Sequence, residues 1–148
     1  MKKLSCLLFF LLCSITVCTQ QLTVATCNIR YDSQEDAEKG NGWKRRCPFI
    51  CQQIRFSDFD IFGAQEVLHN QLADMLDALP GYAFIGVGRD DGATAGEYAP
   101  IFYKKEVLTL LRSGHFWLSE VTDRPNKGWD AALPRICTWG EFERDGKK

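Results

Sequence analysis

The chain has 148 residues, 45% apolar and 25% charged, which excludes a disordered or fibrous polypeptide and points to a folded domain or a piece of one. Its 18 basic and 19 acidic side chains leave a formal net charge of −1, so there is no electrostatic footprint for strong general binding to nucleic acid.

Lys2 and Lys3 precede an apolar run from Leu4 to Cys18 that ends in Thr19-Gln20-Gln21, the charged-then-apolar layout of a secretory signal peptide. The run is too short to span a bilayer comfortably. Residues 1–20 are therefore expected to be a signal peptide, and residues 21–148 an exported mature part, periplasmic or extracellular, with no transmembrane segment. Cys18 stands where a lipidated cysteine would, but Val17 is larger than the residue that processing usually needs, so lipid anchoring is the lesser expectation. Cys27, Cys47, Cys51 and Cys137 follow, and in an oxidising compartment such thiols can pair. Cys47 and Cys51 have helical spacing but no His or further Cys beside them, so they read as core rather than as metal ligands.

Leu22 to Arg30 begins as a β-branched, apolar strand and ends on polar groups at Asn28. Asp32 to Gly42 reads as a polar, acidic loop. Trp43, Cys47, Ile50, Cys51 and Ile54 then form the stripe of an amphipathic helix, whose regular part Pro48 is expected to delay to about Arg46. Asp60 to Val67 reads as a strand buried on both faces that delivers Glu66 at its carboxyl end. In open α/β sheets that end faces the ligand crevice, where an acid can hold a hard cation against a phosphate; the plainer alternative is that Glu66 only opens a loop. Leu68, Leu72, Met75, Leu76 and Leu79 repeat the helical stripe until Pro80-Gly81 stops it.

Tyr82 to Gly88 reads as a third strand, and Arg89 to Tyr98 as a long Gly-rich loop of functional or mobile character. Ala99 to Tyr103 is a short strand in which Pro100 implies an edge or a bulge. Val107 to Leu111 and His115 to Leu118 form a further extended pair, Asp123 to Pro134 a long loop with Trp129 and Asp130, and Ile136 to Phe142 a last strand. Arg144-Asp145-Gly146 signals a hairpin with a returning partner. The order β, α, β, α, then several β is the opening part of a layered α/β domain whose sheet still lacks strands.

Thr26-Cys27-Asn28-Ile29-Arg30, the run Asp58 to Gln65-Glu66, Gly88-Arg89-Asp90-Asp91-Gly92 and Gly96-Glu97-Tyr98 through Tyr103 together resemble the amino-terminal half of the endonuclease/exonuclease/phosphatase superfamily, in its secreted bacterial branch. The resemblance covers nearly all of residues 21–148. It implies a deoxyribonuclease I-like fold, a four-layer αββα sandwich, here partial and truncated. It implies a catalytic pair, Glu66 ligating Mg2+ or Mn2+ and Asn28 helping to hold the metal or the phosphate. Mg2+ keeps several waters and needs few protein ligands, so that much protein is enough. Substrate contacts are expected from Arg89, which either pairs with a phosphate or answers Asp90 and Asp91, from Tyr98, and from Arg135, each with surface or packing roles as the alternative. His115 reads as a strand histidine and His69 as a helix-cap residue.

The superfamily's later motifs, an Asn-Thr-His-type strand end, a Gly-Asp-x-Asn loop and a terminal Ser-Asp-His, have no counterpart here. The leading expectation is therefore the amino-terminal part of a metal-dependent phosphoesterase acting on a phosphomonoester or phosphodiester, inactive and aggregation-prone by itself. The alternative is a secreted binding module for glycan or protein that uses Trp117, Trp129 and Trp139 and performs no chemistry. Loss of metal-dependent turnover in Glu66→Ala separates the two.

Overall fold

The computed structural model describes residues 21–148; the expected signal peptide and Cys18 lie outside them. The elements in chain order are β1 (Val24–Asn28), α1 (Gln34–Glu38), α2 (Trp43–Ser57), β2 (Ile61–Gln65), α3 (His69–Ala78), β3 (Tyr82–Ile85), β4 (Ile101–Lys104), β5 (Thr109–Trp117) and β6 (Ile136–Glu143). Four strands form a mixed sheet in the order β1-β2-β4-β3, and β5 with β6 forms a second, antiparallel sheet.

β1 and β2 run parallel, with Val24 opposite Ile61 and Asn28 opposite Gln65. Parallel neighbours need a long crossover, which α2 provides. Side chains alternate along these strands, so Ala25, Cys27, Phe62 and Ala64 share one face, and there α2 and α3 cover them. Trp43, Cys51 and Ile54 of α2 and Leu72 and Met75 of α3 fill that interface. At its centre Phe62 stacks on Phe102 with ring centroids 4.8 Å apart, and Tyr82 meets Phe62 edge-on at 5.6 Å.

The second sheet packs on the opposite face. Tyr103 of β4 contacts Phe142 of β6 at 5.0 Å between centroids, and a Cβ on Gly140 would come within 2.7 Å of Ile85 Cδ1, so the two sheets approach closely there. The architecture is thus helices, sheet, sheet: three layers of a truncated αββα sandwich. The two-stranded second sheet leaves Val24 at the β1 side 65% exposed, and Phe116 and Trp139 on its own outer face are also open.

Several local expectations are corrected. The stretch from Asp32 to Gly42 contains α1, because the Ser33 Oγ accepts from the Asp36 amide at 3.2 Å and caps the turn. α2 begins at Trp43 rather than near Arg46 and carries Pro48 inside it; burial of Trp43 and the carbonyl contacts of Arg46 hold the turn ahead of the proline. β4 is an interior strand, not an edge, since Pro100 precedes it and contributes only its carbonyl, which accepts from Ala64 N at 2.9 Å. The extended pair Val107–Leu111 and His115–Leu118 is one strand, β5, with a register irregularity between Leu110 and Arg112. The hairpin signal does form: Asp145 and Gly146 both have positive φ, and Arg144 pairs with Lys147.

Candidate active site at the strand ends

Parallel pairing brings the carboxyl ends of β1 and β2 to the same edge, and just beyond each strand stands a residue with left-handed backbone, Arg30 at φ 58° and Glu66 at φ 59°. For a glutamate this conformation is strained, and it turns the carboxylate sharply off the line of β2. The bridge between Val67 and Tyr98, closed by Tyr98 N donating to Val67 O at 2.7 Å, fixes the chain immediately after it.

The Glu66 carboxylate is met from β1. Asn28 Nδ2 donates to Glu66 Oε1 at 2.8 Å, and the Tyr31 amide donates to Oε2 at 3.3 Å. The Asn28 Oδ1 faces away and accepts from the Arg30 amide at 2.8 Å. In this arrangement the amide of Asn28 orients Glu66 and presents no oxygen beside it.

Asn28, Gln65, Glu66, Arg89, Glu97, Tyr98, Leu118 and Arg135 line one cleft of about 300 Å³. All five residues singled out in the sequence therefore meet in one place. Their states differ. Arg89 is nearly buried and forms a two-pronged pair with Glu97, at 2.9 and 3.1 Å, and a longer ion pair with Asp90 at 3.7 Å, so it answers one of its sequence neighbours but is hydrogen-bonded to neither. The Arg89 Nε is buried without a hydrogen-bond partner among the described residues. Tyr98 is buried, and its hydroxyl donates to Ala93 O at 3.0 Å and accepts from His69 Nδ1 at 3.1 Å, so the phenol ties loop and helix together. The Arg135 guanidinium is exposed and has no partner among the described residues.

The loop from Arg89 to Tyr98 is fastened rather than loose. Asp91 accepts from the amides of Ala93, Thr94 and Ala95, and these bonds, the Ala95 amide first, hold its carboxyl below the usual range. A Cβ on Gly88 would fall 2.2 Å from the Ala95 carbonyl oxygen, so the loop closes only over glycine.

Three supporting residues escaped the sequence reading. Gln71, fully buried, donates to Arg30 O at 3.0 Å and accepts from Asp32 N at 3.1 Å and Leu68 N at 3.0 Å. Arg46 gathers the carbonyls of Ile29, Arg30 and Tyr31. Asp36 pairs with Arg30 through two bonds, and that contact, with the Ser33 bond, outweighs burial and draws its carboxyl down to about 2. Together they pin the turn that offers the Tyr31 amide to Glu66. The detectable signal was Gln71, an amide at the core-facing spacing of Leu68 and Met75.

Of this set only the Glu66 carboxylate offers oxygens that a hard divalent cation could take, which fits a cation that keeps most of its water, while the Arg135 guanidinium suits the anion beside it. Among the described residues no three His, Cys, Asp or Glu side chains converge, so a densely ligated centre does not fit. The cysteines are not ligands either. Cys47 and Cys51 lie with sulfurs 3.9 Å apart, unbridged, and burial, reinforced by its neighbour, pushes the Cys51 thiol up to about 12.

No protein-family model and no curated protein matches the chain. Solved structures do. An endonuclease/exonuclease/phosphatase family protein from Bacteroides thetaiotaomicron is 52% identical over 84% of this chain and 46% of its own, with a TM-score of 0.83. The structure described as a mannosyl-6-phosphatase of B. thetaiotaomicron gives the same 52% identity, 84% and 46% coverage and TM-score of 0.83. An endonuclease/exonuclease/phosphatase from Bacteroides vulgatus is 50% identical over 80% of this chain and 45% of its own, with a TM-score of 0.77. The chain thus spans less than half the length of the structures it matches.

Proposed function

Because the chain belongs to the endonuclease/exonuclease/phosphatase family, we propose that it forms the cation-holding part of a hydrolase of phosphate esters, with a sugar phosphomonoester as substrate. The observation that carries this reading is the convergence of Asn28, Glu66, Arg89 and Arg135 on one cleft, with Glu66 held in place from β1. Enzymes of the family generally depend on a divalent metal. When bound, Mg2+ or Mn2+ supplies stabilisation of the charge that develops on the phosphate and its leaving oxygen.

The chain's own residues then divide the work. Glu66 offers the carboxylate, and Asn28 and the Tyr31 amide fix its orientation. Arg135, with both edges of its guanidinium open, takes phosphate oxygens as a fork. Arg89 has two nitrogens committed to Glu97 and its buried Nε 3.7 Å from Asp90, so it adds positive charge to the cleft wall. Tyr98 positions the wall and does not touch substrate. Among the described residues the cleft carboxylates are Glu66 and Glu97, and both are engaged, so activation of the attacking water is assigned to the later family motifs that this sequence does not carry. The chain alone is expected to be inactive.

The sugar monoester is favoured over a long polyanion by the near-neutral charge and the single unpaired guanidinium of the cleft. Similarity at 52% identity to a mannosyl-6-phosphatase supports the same choice. Export, with residues 1–20 removed, is proposed from the basic-then-apolar start of the sequence, and amino-terminal sequencing of the mature protein tests it.

In the intact protein, Glu66→Ala is expected to lower kcat/KM for a sugar 6-phosphate by about a hundred-fold or more in saturating Mg2+, with an unchanged circular dichroism spectrum. Full metal-dependent turnover in that variant would refute the assignment.

A further inference from the structure

The loop between β5 and β6 leaves the second sheet at Leu118 and returns at Arg135, and both residues line the Glu66 cleft. The two ends are joined, since Leu118 N donates to Arg135 O at 2.8 Å. Gly128, in mid-loop, is packed back onto them: a Cβ there would come within 2.3 Å of the Leu118 carbonyl oxygen. Trp129 is therefore one residue, about 3.8 Å of chain, from a backbone seated on the cleft wall.

Trp129 differs from Trp43 and Trp117, and it is more exposed than Trp139, which lies on the outer face of β6 at 41%. Trp43 and Trp117 are buried and donate their indole N–H to Asp74 and to the Arg89 carbonyl. Trp129 is 73% exposed, its indole has no partner among the described residues, and its backbone stands at φ 49°. A bulky aromatic has no local reason to adopt the left-handed region, and such outliers collect where a side chain must be presented. Leu133 on the same loop is exposed as well, and so is Asp130, the next residue in the chain.

We propose that Trp129 is the platform for the sugar ring of the substrate, a reading that rests on the phosphate-ester hydrolase proposed above. The negative face of the indole accepts the C–H face of a pyranose, Asp130 accepts from ring hydroxyls, and the phosphate lies at Arg135 and Glu66. A cation-and-phosphate site with an aromatic ring and an acid presented from the loop beside it selects a sugar phosphate over a phosphate ester that lacks a ring.

The test uses the intact protein with Trp129→Ala and Trp129→Phe, assayed on mannose 6-phosphate and on glycerol phosphate. Separately, the Trp129 indole N–H resonance is followed as mannose 6-phosphate is added without metal. Trp129→Ala is expected to lower kcat/KM for the sugar phosphate about ten-fold, through KM, and to change the glycerol phosphate value by less than about two-fold. Trp129→Phe is expected to recover most of the loss, and the resonance to shift saturably. Equal losses on both esters, an unchanged sugar value, or a resonance that stays still would overturn the platform. If the wild type hydrolyses neither ester while the resonance shifts, the hydrolase reading falls and the platform stands; turnover with a silent resonance gives the reverse.

Discussion

Glu66 was legible because an apolar run that stops at Gln65-Glu66 delivers its last side chain to the strand end. Gln71 was not, because an amide inside a leucine stripe gives no sign of which backbone groups it will serve. Its three bonds are made to Arg30, Asp32 and Leu68, two of them far away in sequence. Gln71→Leu should keep the volume but strand those groups, lowering stability by about 2–3 kcal/mol, measurable by urea unfolding. Arg89 is a second case. Sequence neighbours suggested Asp90 or Asp91, and Asp90 does approach to 3.7 Å, but the hydrogen-bonded partner is Glu97, brought across by the Gly88 and Gly96 closure of the loop. Glu97→Ala leaves the buried cation with only the longer Asp90 contact and should cost about 3 kcal/mol, whereas the double variant Arg89→Met, Glu97→Leu should recover much of that in a double-mutant cycle.

At the scale of elements, both principal helices were readable from their apolar spacing, while α1 was not. Five residues hold no stripe, and α1 exists through the Ser33 cap and the Arg30–Asp36 pair. That pair makes the element sensitive to acid. The Asp36 carboxyl titrates near 2 in the fold against an ordinary 3.8, so its contribution is whole above about pH 3.8 and is lost as pH falls through about 2. Asp36→Asn should therefore melt at a lower temperature than the wild type at pH 5, and the difference should close between about pH 4 and pH 2 in a thermal series. β4 shows the other limit. Its sequence fixes an extended segment, but its place between β2 and β3 depends on which partners offer free edges, and no periodicity encodes that.

The molecule as a whole is better covered on one side of its larger sheet than on the other. Helices α2 and α3 close one face, while the two-stranded second sheet leaves Leu22 and Val24 in the open beside β1. Expressed by itself, this chain should bind a hydrophobic dye and self-associate, and Val24→Lys should reduce both in fluorescence and light-scattering measurements. The layered class followed from the order of elements; the extent of the bare face did not, because it depends on which strands oppose which. The parallel pairing of β1 with β2 has one more consequence. Asn28 and Glu66 are 38 residues apart, and no local turn can introduce them; the whole of α2 must first be laid across the sheet. The candidate cleft is thus expected to assemble late in folding: a chain that has its helices but not its long-range strand pairing has Asn28 and Glu66 but not their contact.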